Sequence, residues 1–367
     1  FNLALQPGVS VTEFFDKSLL NYVFKYDLFQ SFSKHVKKFF KHPRLIQMME
    51  FPILFLGALP ENTPALYSLM NYADIKLGTW YPVGGMNKIT ESLTSLATEM
   101  GAKINLNHGV DSISTEDKIA TAIISRGKEF KTDAVVASSD YHHTEMRLLQ
   151  EKHRNYNERY WDKRVFAPSC LIFFIGLNKK IKNLEHHNLF FDEPFKPHAE
   201  DIYINKKWPE KPLFYVSCTS KTDPTVAPAG HENLFILMPV ASGIDDTEAI
   251  RESYFNSLID RMEKLTGEDI RQYIVYKKSY AHKNFKEDYN AYKGNAYGLA
   301  NTLMQTSILK PSIQNKRLKN LFYTGQLTVP GPGVPPALLS GMITSRQLIK
   351  QLIENPKAEA LFSLQNI

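Results

Sequence analysis

Residues 324–341 read TGQLTVPGPGVPPALLSG and join an apolar strand-like run, Leu321–Tyr323, to an apolar helical run ending near Ile353. No other stretch restricts the backbone so tightly, because Pro fixes φ near −65° while Gly alone enters the positive-φ region freely. Gly325 ends the strand without a side chain, Gly331 and Gly333 leave the following turn bare, and Pro335 and Pro336 pre-set a first helical turn. A helix N-terminus behind bare backbone offers partial positive charge and free N–H donors to a phosphate or a flavin carbonyl. The residues alone leave two readings open: a rigid strand-to-helix turn without a ligand, or a cofactor cradle.

The rest of the chain alternates elements in a way that favours an α/β fold. WYPVGG (80–85) reads as a short strand with a glycine pair, and MNKITESLTSLATEM (86–100) as a helix with Ile89, Leu93, Leu96, Ala97 and Met100 on one face. AKINLNHGVDSIST (102–115) alternates like a strand, a hairpin turns at Gly127, and Ala134–Ser138 forms another apolar strand. Strand, helix, strand, hairpin and strand in this order suit a nucleotide-binding unit. The expected organisation is a helical region over 1–78, with a helix starting at Asn62-Thr63-Pro64, part of an α/β domain over 79–150, and an inserted α+β domain over 151–310. A returning strand and helix over 311–355 and a tail over 356–367 complete it. Within the insertion, strands are expected at 169–176, 214–218 and 234–239, and a helix at 245–265.

At 43% hydrophobic and 22% charged residues, the composition argues for a folded chain rather than a disordered one. Cys170 and Cys218 lie in apolar runs, and no CxxC or HExxH spacing occurs, so buried thiols, a reducing compartment and no structural metal are expected. A net charge of +6 is too small for this length to argue for nucleic acid. Between Ser31 and Leu45, however, Lys34, Lys37, Lys38, Lys41 and Arg44 alternate with Phe32, Val36, Phe39 and Phe40 without one acid. Such a helix either packs its Phe residues inward with solvated lysines or rests on an anionic membrane. FPILFLGALP (51–60) is too short to span a bilayer. The N-terminus lacks the features of a signal peptide and does not begin with Met, so the chain is read as a piece of a longer protein.

Four stretches carry a family resemblance: Gly325–Gly341, LYSLMNYADIKLGTWYPVGGMNKI (66–89), TDPTVAPAGHENLFILMPV (222–240) and FKEDYNAYKGNAYGLANTLMQT (285–306). In this order they resemble the bacterial-type carotenoid desaturases, the phytoene desaturase group of FAD-dependent oxidoreductases related to amine oxidases. The resemblance spans essentially the whole chain. It implies an incomplete FAD-binding Rossmann-like domain with a substrate-binding sheet domain. It also implies that Gly325 and Gln326 lie at the ribityl and phosphate region, and Gly333, Val334 and Pro335 near the isoalloxazine ring. Val110 matches the position whose backbone receives the adenine, and Ser138, Ser139 and Asp140 match the strand end below the pyrophosphate. Many flavoproteins have Asp where this chain has Gln326; an amide still bonds hydroxyl or phosphate oxygens.

One departure is large: no GxGxxG occurs, because Gly331 and Gly333 are followed by Val-Pro-Pro. The segment holding most ADP contacts is therefore expected to lie outside this chain, which alone should bind FAD weakly or not at all. The implied reaction removes hydrogen from C–C bonds of a C40 polyene, phytoene toward lycopene. A desaturase of a hydroxylated or partly cyclised (gamma-carotene-type) carotene, a carotene isomerase and a noncatalytic lipid-binding protein on the same scaffold are the alternatives. No catalytic base is assigned, since Glu50, Asp74, Glu91 and His142 read as helix-surface or capping residues. A hydrocarbon substrate makes a peripheral-membrane location at the cytoplasmic face, docked through 31–60, the expected one.

Overall fold

A computed structural model describes residues 7–8, 30–56 and 59–353. The helical pattern expected over 10–29 and the tail over 356–367 lie outside the described residues. Helix α1 (Phe32–Phe39) is capped by the Ser31 hydroxyl, which accepts from the Lys34 amide, and α2 (Pro43–Glu50) follows. They pack through buried Phe32, Val36 and Ile53. The helix expected at Asn62-Thr63-Pro64 forms instead as a 3₁₀ turn, Ala65–Tyr67, leading into Ser68–Tyr72, with no side-chain cap. Thr63 does not cap it because its hydroxyl donates back to Leu59 O at 3.0 Å.

WYPVGG is a loop, not a strand, and Gly84 N donates to the Asp223 carboxylate at 2.7 Å. The next helix, α3 (Asn87–Glu99), forms where its period predicts, yet buries none of its residues; Leu96 is 53% exposed. Of the alternating run 102–115, only Ser112–Glu116 becomes a strand, β1. It pairs antiparallel with β2 (Ile119–Ser125), which turns through Arg126-Gly127 into β3 (Lys128–Lys131). Asp111 N bonds Ile124 O at 2.8 Å at the edge of the β1–β2 pairing, but the residues before it form no strand, and alternation alone does not make one.

Strand β4 (Val135–Ala137) ends at Ser138. The chain then enters a second sheet, ordered β6-β7-β8-β5-β9 and wholly antiparallel. Its strands are β5 (Ser169–Leu177), β6 (His187–Phe190), β7 (Phe214–Ser217), β8 (Glu232–Val240) and β9 (Ile274–Tyr280). Helix α4 (Glu248–Thr266) covers one face, where Leu171, Phe173, Ile175, Ile236 and Met238 meet Phe255, Leu258, Ile259 and Met262. Thr247 caps α4 and Gly267, in the left-handed region at φ 71°, ends it. Cys170 and Cys218 are buried free thiols in this sheet, as their apolar runs suggest.

The opposite face carries Cys170, Ile172, Tyr215, Phe235 and Leu237. Helix α5 (His282–Tyr289) lies at its edge, and Phe285 from it joins that face. The chain finally returns as β10 (Leu321–Tyr323), parallel to β4 with Leu321 opposite Val135 and Tyr323 opposite Ala137, and then as α6 (Val334–Ile353). Asn320 locks the return, accepting from Ala120 N and donating to the carbonyls of Ala120 and Asp133. The ends of β4 and β10 thereby lie side by side, facing the uncovered side of the large sheet.

Candidate functional site

Between the β4–β10 pair, the start of α6 and the uncovered sheet face lies a cavity of about 870 Å³. One wall is polar: Ser138, Ser139 and Asp140 after β4, Gln326 after β10, and Gly333 and Val334 at the start of α6. The other is apolar, with Ile172 and Phe174 from β5 and Phe285 and Tyr297 beyond them. Six of the predicted residues, Ser138, Ser139, Asp140, Gln326, Gly333 and Val334, thus converge from separated parts of the chain, whereas Pro335 follows in α6 outside the lining. Gly325 stands at the edge, where Ser138 O would lie 3.9 Å from an added Cβ. Val110 lies outside the cavity and packs on the cluster around Tyr141, Trp161 and Tyr323.

The turn is held by side chains on α6 and in the turn itself. The Ser340 hydroxyl, fully buried, accepts from Gly325 N at 2.9 Å and bonds the hydroxyls of Thr324 and Thr328. Thr328 donates to Gly325 O at 2.9 Å, and Thr344 to Tyr323 O at 3.1 Å. Gly325, Gly331 and Gly333 have φ of 107°, 135° and 116°, a region costly for any side chain with a Cβ. Pro335 and Pro336 carry no N–H, so the α6 terminus offers the cavity the amides of Gly333 and Val334 rather than a full first turn of donors. This corrects the expectation of a donor-rich helix end.

The polar wall also sorts its members. Asp140 caps the following helical turn by accepting from His143 N at 3.0 Å, and its other oxygen accepts from Tyr292 N at 3.1 Å. Burial raises its pKa, while these backbone bonds oppose the rise. Ser139 Oγ is bonded to Thr144 Oγ1 at 2.8 Å. Gln326 donates from Nε2 to Asn295 Oδ1 at 3.4 Å, and Asn295 Oδ1 also accepts from Gly298 N at 2.7 Å. Neither Asn295 nor Gly298 is conspicuous in the sequence, yet together they position Gln326.

Behind the turn, Lys310 Nζ and Asn301 Oδ1 are buried with no hydrogen-bond partner among the described residues, and a Cβ on Gly331 would lie 3.4 and 3.5 Å from them. Burial lowers the Lys310 pKa to about 8. Beneath the cavity floor, Tyr141 and Tyr323 stack at 3.8 Å, and the Tyr323 hydroxyl donates to Glu145 at 3.0 Å. Glu145 also accepts from the amides of Asn155 and Tyr156, and burial raises its pKa to about 7.

The four titratable residues singled out from the sequence lie apart from this wall. Glu91 is an exposed partner of Lys88 and Asn87, Asp74 accepts from Thr79, and His142 bonds Glu158 at 2.9 Å. Glu50 departs from its surface assignment, because the end of α2 is buried against the small helical core. Among the described residues, no group of three or more His, Cys, Asp or Glu side chains is placed to hold a metal.

Bare backbone at three positive-φ glycines, the helix-end amides of Gly333 and Val334 and the Gln326 amide fit the flavin end of FAD. No phosphate-binding GxGxxG loop is present for its ADP end. The comparisons agree. The family described as flavin containing amine oxidoreductase matches residues 12–349. A carotenoid 3,4-desaturase of Haloarcula japonica is 38% identical over 89% of this chain and 66% of its own length. A zeta-carotene-forming phytoene desaturase of Myxococcus xanthus is 28% identical over 86% of this chain and 61% of its own. The chain thus spans about three fifths to two thirds of the curated relatives it matches. An oxidoreductase from Methanosarcina mazei shares the fold at a TM-score of 0.61 and 16% identity, over 92% of this chain and 73% of that one. Reduced UDP-galactopyranose mutase does so at 0.54 and 12%, over 91% and 70%. The chain belongs to the flavin containing amine oxidoreductase family, and the curated relatives it resembles there include carotenoid desaturases.

Proposed function

We propose that this chain is the greater part of an FAD-dependent carotenoid desaturase acting on an acyclic C40 polyene, phytoene or a partly desaturated product of it. The observation that carries the reading is the junction in one cavity of the bare-backbone cradle and the apolar sheet face. A second cavity of about 440 Å³ continues along the same sheet and shares Phe174, with Val226, Ala227, Pro228 and Phe235 in its walls. A rod-shaped hydrocarbon needs such a floor, whereas a small polar amine does not. The identity to a 3,4-desaturase supports a substrate already partly desaturated or hydroxylated as the nearest variant of the reading.

Gly325, Gln326, Gly333 and Val334 hold the flavin end, with Ser138 on the facing strand end. When bound, the flavin supplies a two-electron acceptor for hydride. The chain's own residues do the rest: Ile172, Phe174 and Phe285 align the polyene and keep water from the reacting carbons. Expressing the complete protein in bacterial cells that accumulate phytoene or later acyclic polyenes tests this. Products absorbing at longer wavelength are expected; unchanged pigments with every acyclic precursor would overturn the reading.

The membrane surface belongs to the same reading. Phe32 and Val36 anchor α1 inward, while Lys34, Lys37, Lys38, Phe39, Lys41, Leu45 and Met48 are exposed together, Phe39 at 68%. Among the described residues no helix is long and apolar enough to cross a membrane. A basic, apolar surface of this kind fits docking on the anionic cytoplasmic leaflet. Each basic residue contributes about 1 kcal/mol there. Changing Lys37, Lys38 and Lys41 to Glu is therefore expected to weaken binding to phosphatidylserine vesicles at least ~100-fold, as read by co-sedimentation, and binding by the unchanged protein should fall with salt.

A further inference from the structure

The cavity has two carboxylates in its lining, and they are not equivalent. Both oxygens of Asp140 are committed to backbone amides, as described above. Asp288, in the last turn of α5, accepts one hydrogen bond on Oδ2, from the Tyr280 hydroxyl at 2.8 Å. Among the described residues nothing bonds its other oxygen, and no cation is paired with it. Tyr280 lies at the end of β9, on the sheet face that carries Ile172 and Phe235. The pair therefore lines the same cavity as Ile172, Phe174 and the cradle residues Gln326, Gly333 and Val334.

Asp288 is exposed to solvent while lining the cavity. A carboxylate in a final helical turn meets the negative end of the backbone dipole, where a cation is favoured. Glu287, its neighbour on the same turn, sits near Lys283 at 3.9 Å, but Asp288 has no such compensation. Its cap role is also empty, because the α5 C-cap is Asn290, in the left-handed region, whose N–H bonds Phe285 O. A carboxylate that lines the cavity, is held by a tyrosine and keeps one oxygen unbonded among the described residues is placed for a chemical role.

We propose that Asp288, oriented by Tyr280, accepts the proton released when the polyene loses hydrogen. The inference rests on the desaturase reading. One carbon gives up hydride to the bound flavin and becomes electron-deficient. The C–H pair on the adjacent carbon then forms the new C=C bond, and the proton passes to the free oxygen of Asp288. Atoms and electrons balance, with two electrons and one proton leaving with the hydride and one proton held by the carboxylate. A carboxylate suffices, because a proton beside an electron-deficient carbon is strongly acidic. The other titrating groups facing Asp288 are Tyr280 on β9, Tyr289 beside it, and Asp140, Tyr141, Tyr297 and Tyr323 across the cavity.

The test compares Asp288→Asn, Asp288→Glu and Tyr280→Phe in the flavin-loaded, complete protein. Asp288→Asn should lower the turnover of a bound polyene by about 100-fold or more. Binding of the polyene, read by its visible absorption shift, should be unchanged, and the thermal midpoint unchanged or higher. Asp288→Glu should recover part of the rate, and Tyr280→Phe should move the acidic limb of the pH–rate profile with less loss. Turnover by Asp288→Asn within threefold of the unchanged protein, or a lowered thermal midpoint with lost polyene binding, overturns the assignment. Absence of desaturation by the unchanged protein overturns the functional reading itself, and is distinguished by being independent of the substitution.

Discussion

Gly298→Ala is expected to disable the cradle although residue 298 contributes no side chain to it. Gly298 has φ 75°, and an added Cβ would lie 2.8 Å from Gln326 O and 3.1 Å from Gln326 C. Both are backbone atoms in the turn below α6, so no flexible side chain can yield. Positive-φ strain costs about 1–3 kcal/mol, and forcing backbone aside costs about another 1–3. The sum, about 2–6 kcal/mol, falls on the segment that positions Gln326. The same substitution twists the Gly298 N–H away from Asn295 Oδ1, which also receives Gln326. At about 1.4 kcal/mol per tenfold, flavin affinity of the complete protein should fall at least ~10-fold, with a lower thermal midpoint. Flavin titration and thermal unfolding check this; unchanged values in both would show that the turn does not need the close approach.

The second large effect is a dependence of stability on pH that Glu145 introduces. Its folded pKa, about 7, exceeds the ordinary 4.5 because burial outweighs three hydrogen bonds. A raised pKa means that the folded protein holds the proton more tightly than the unfolded chain does. The contribution is fully present below about pH 4.5 and is lost as pH rises through 7. At 1.36 kcal/mol per unit, it amounts to about 3 kcal/mol across that window. Histidines act oppositely: His198, pushed down to about 4 by burial, with His143, His153, His186 and His187 lowered as well, makes stability rise with pH. The raised carboxyls of Asp140 and Glu50 act in the same sense as Glu145. The signature is therefore a difference: denaturant midpoints of the unchanged protein minus those of Glu145→Gln should decline between pH 5 and 8. A difference that stays flat would assign the pH dependence to the other groups.

The cradle was legible in the sequence because its constraint is local: Gly and Pro dictate φ wherever they stand, and the strand and helix around them have clear periods. Strands β5, β7 and β8 were equally plain, being nearly continuous apolar runs. Strand β6 was not, since HNLF lies at a sheet edge and carries polar residues that read as loop. WYPVGG misled for the opposite reason. Its aromatic and branched residues suit a strand, but Gly84 and Gly85 take φ of 88° and 101°, and Gly84 N bonds Asp223 instead of a ladder partner. Asp288 and Tyr280 could not be paired from sequence, because their meeting depends on how α5 folds back against β9. Ser340 and Asn295 were silent for the same reason: a serine within a helix and an asparagine within a loop acquire meaning only from what they touch.

The parallel pairing of β4 with β10 sets an order of events. Val135 finds its partner only when Leu321 has been synthesised, after the entire five-stranded sheet and α4 have left the ribosome. The sheet's antiparallel neighbours have much shorter separations to close, and contacts distant in sequence form slowly. The apolar sheet face that lines the cavity is thus shaped first, before the last strand and α6 dock. Until then a nascent chain of this kind leaves Ile172, Phe174 and Phe235 without the elements that close the cavity, an apolar surface of the sort that makes folding intermediates prone to association.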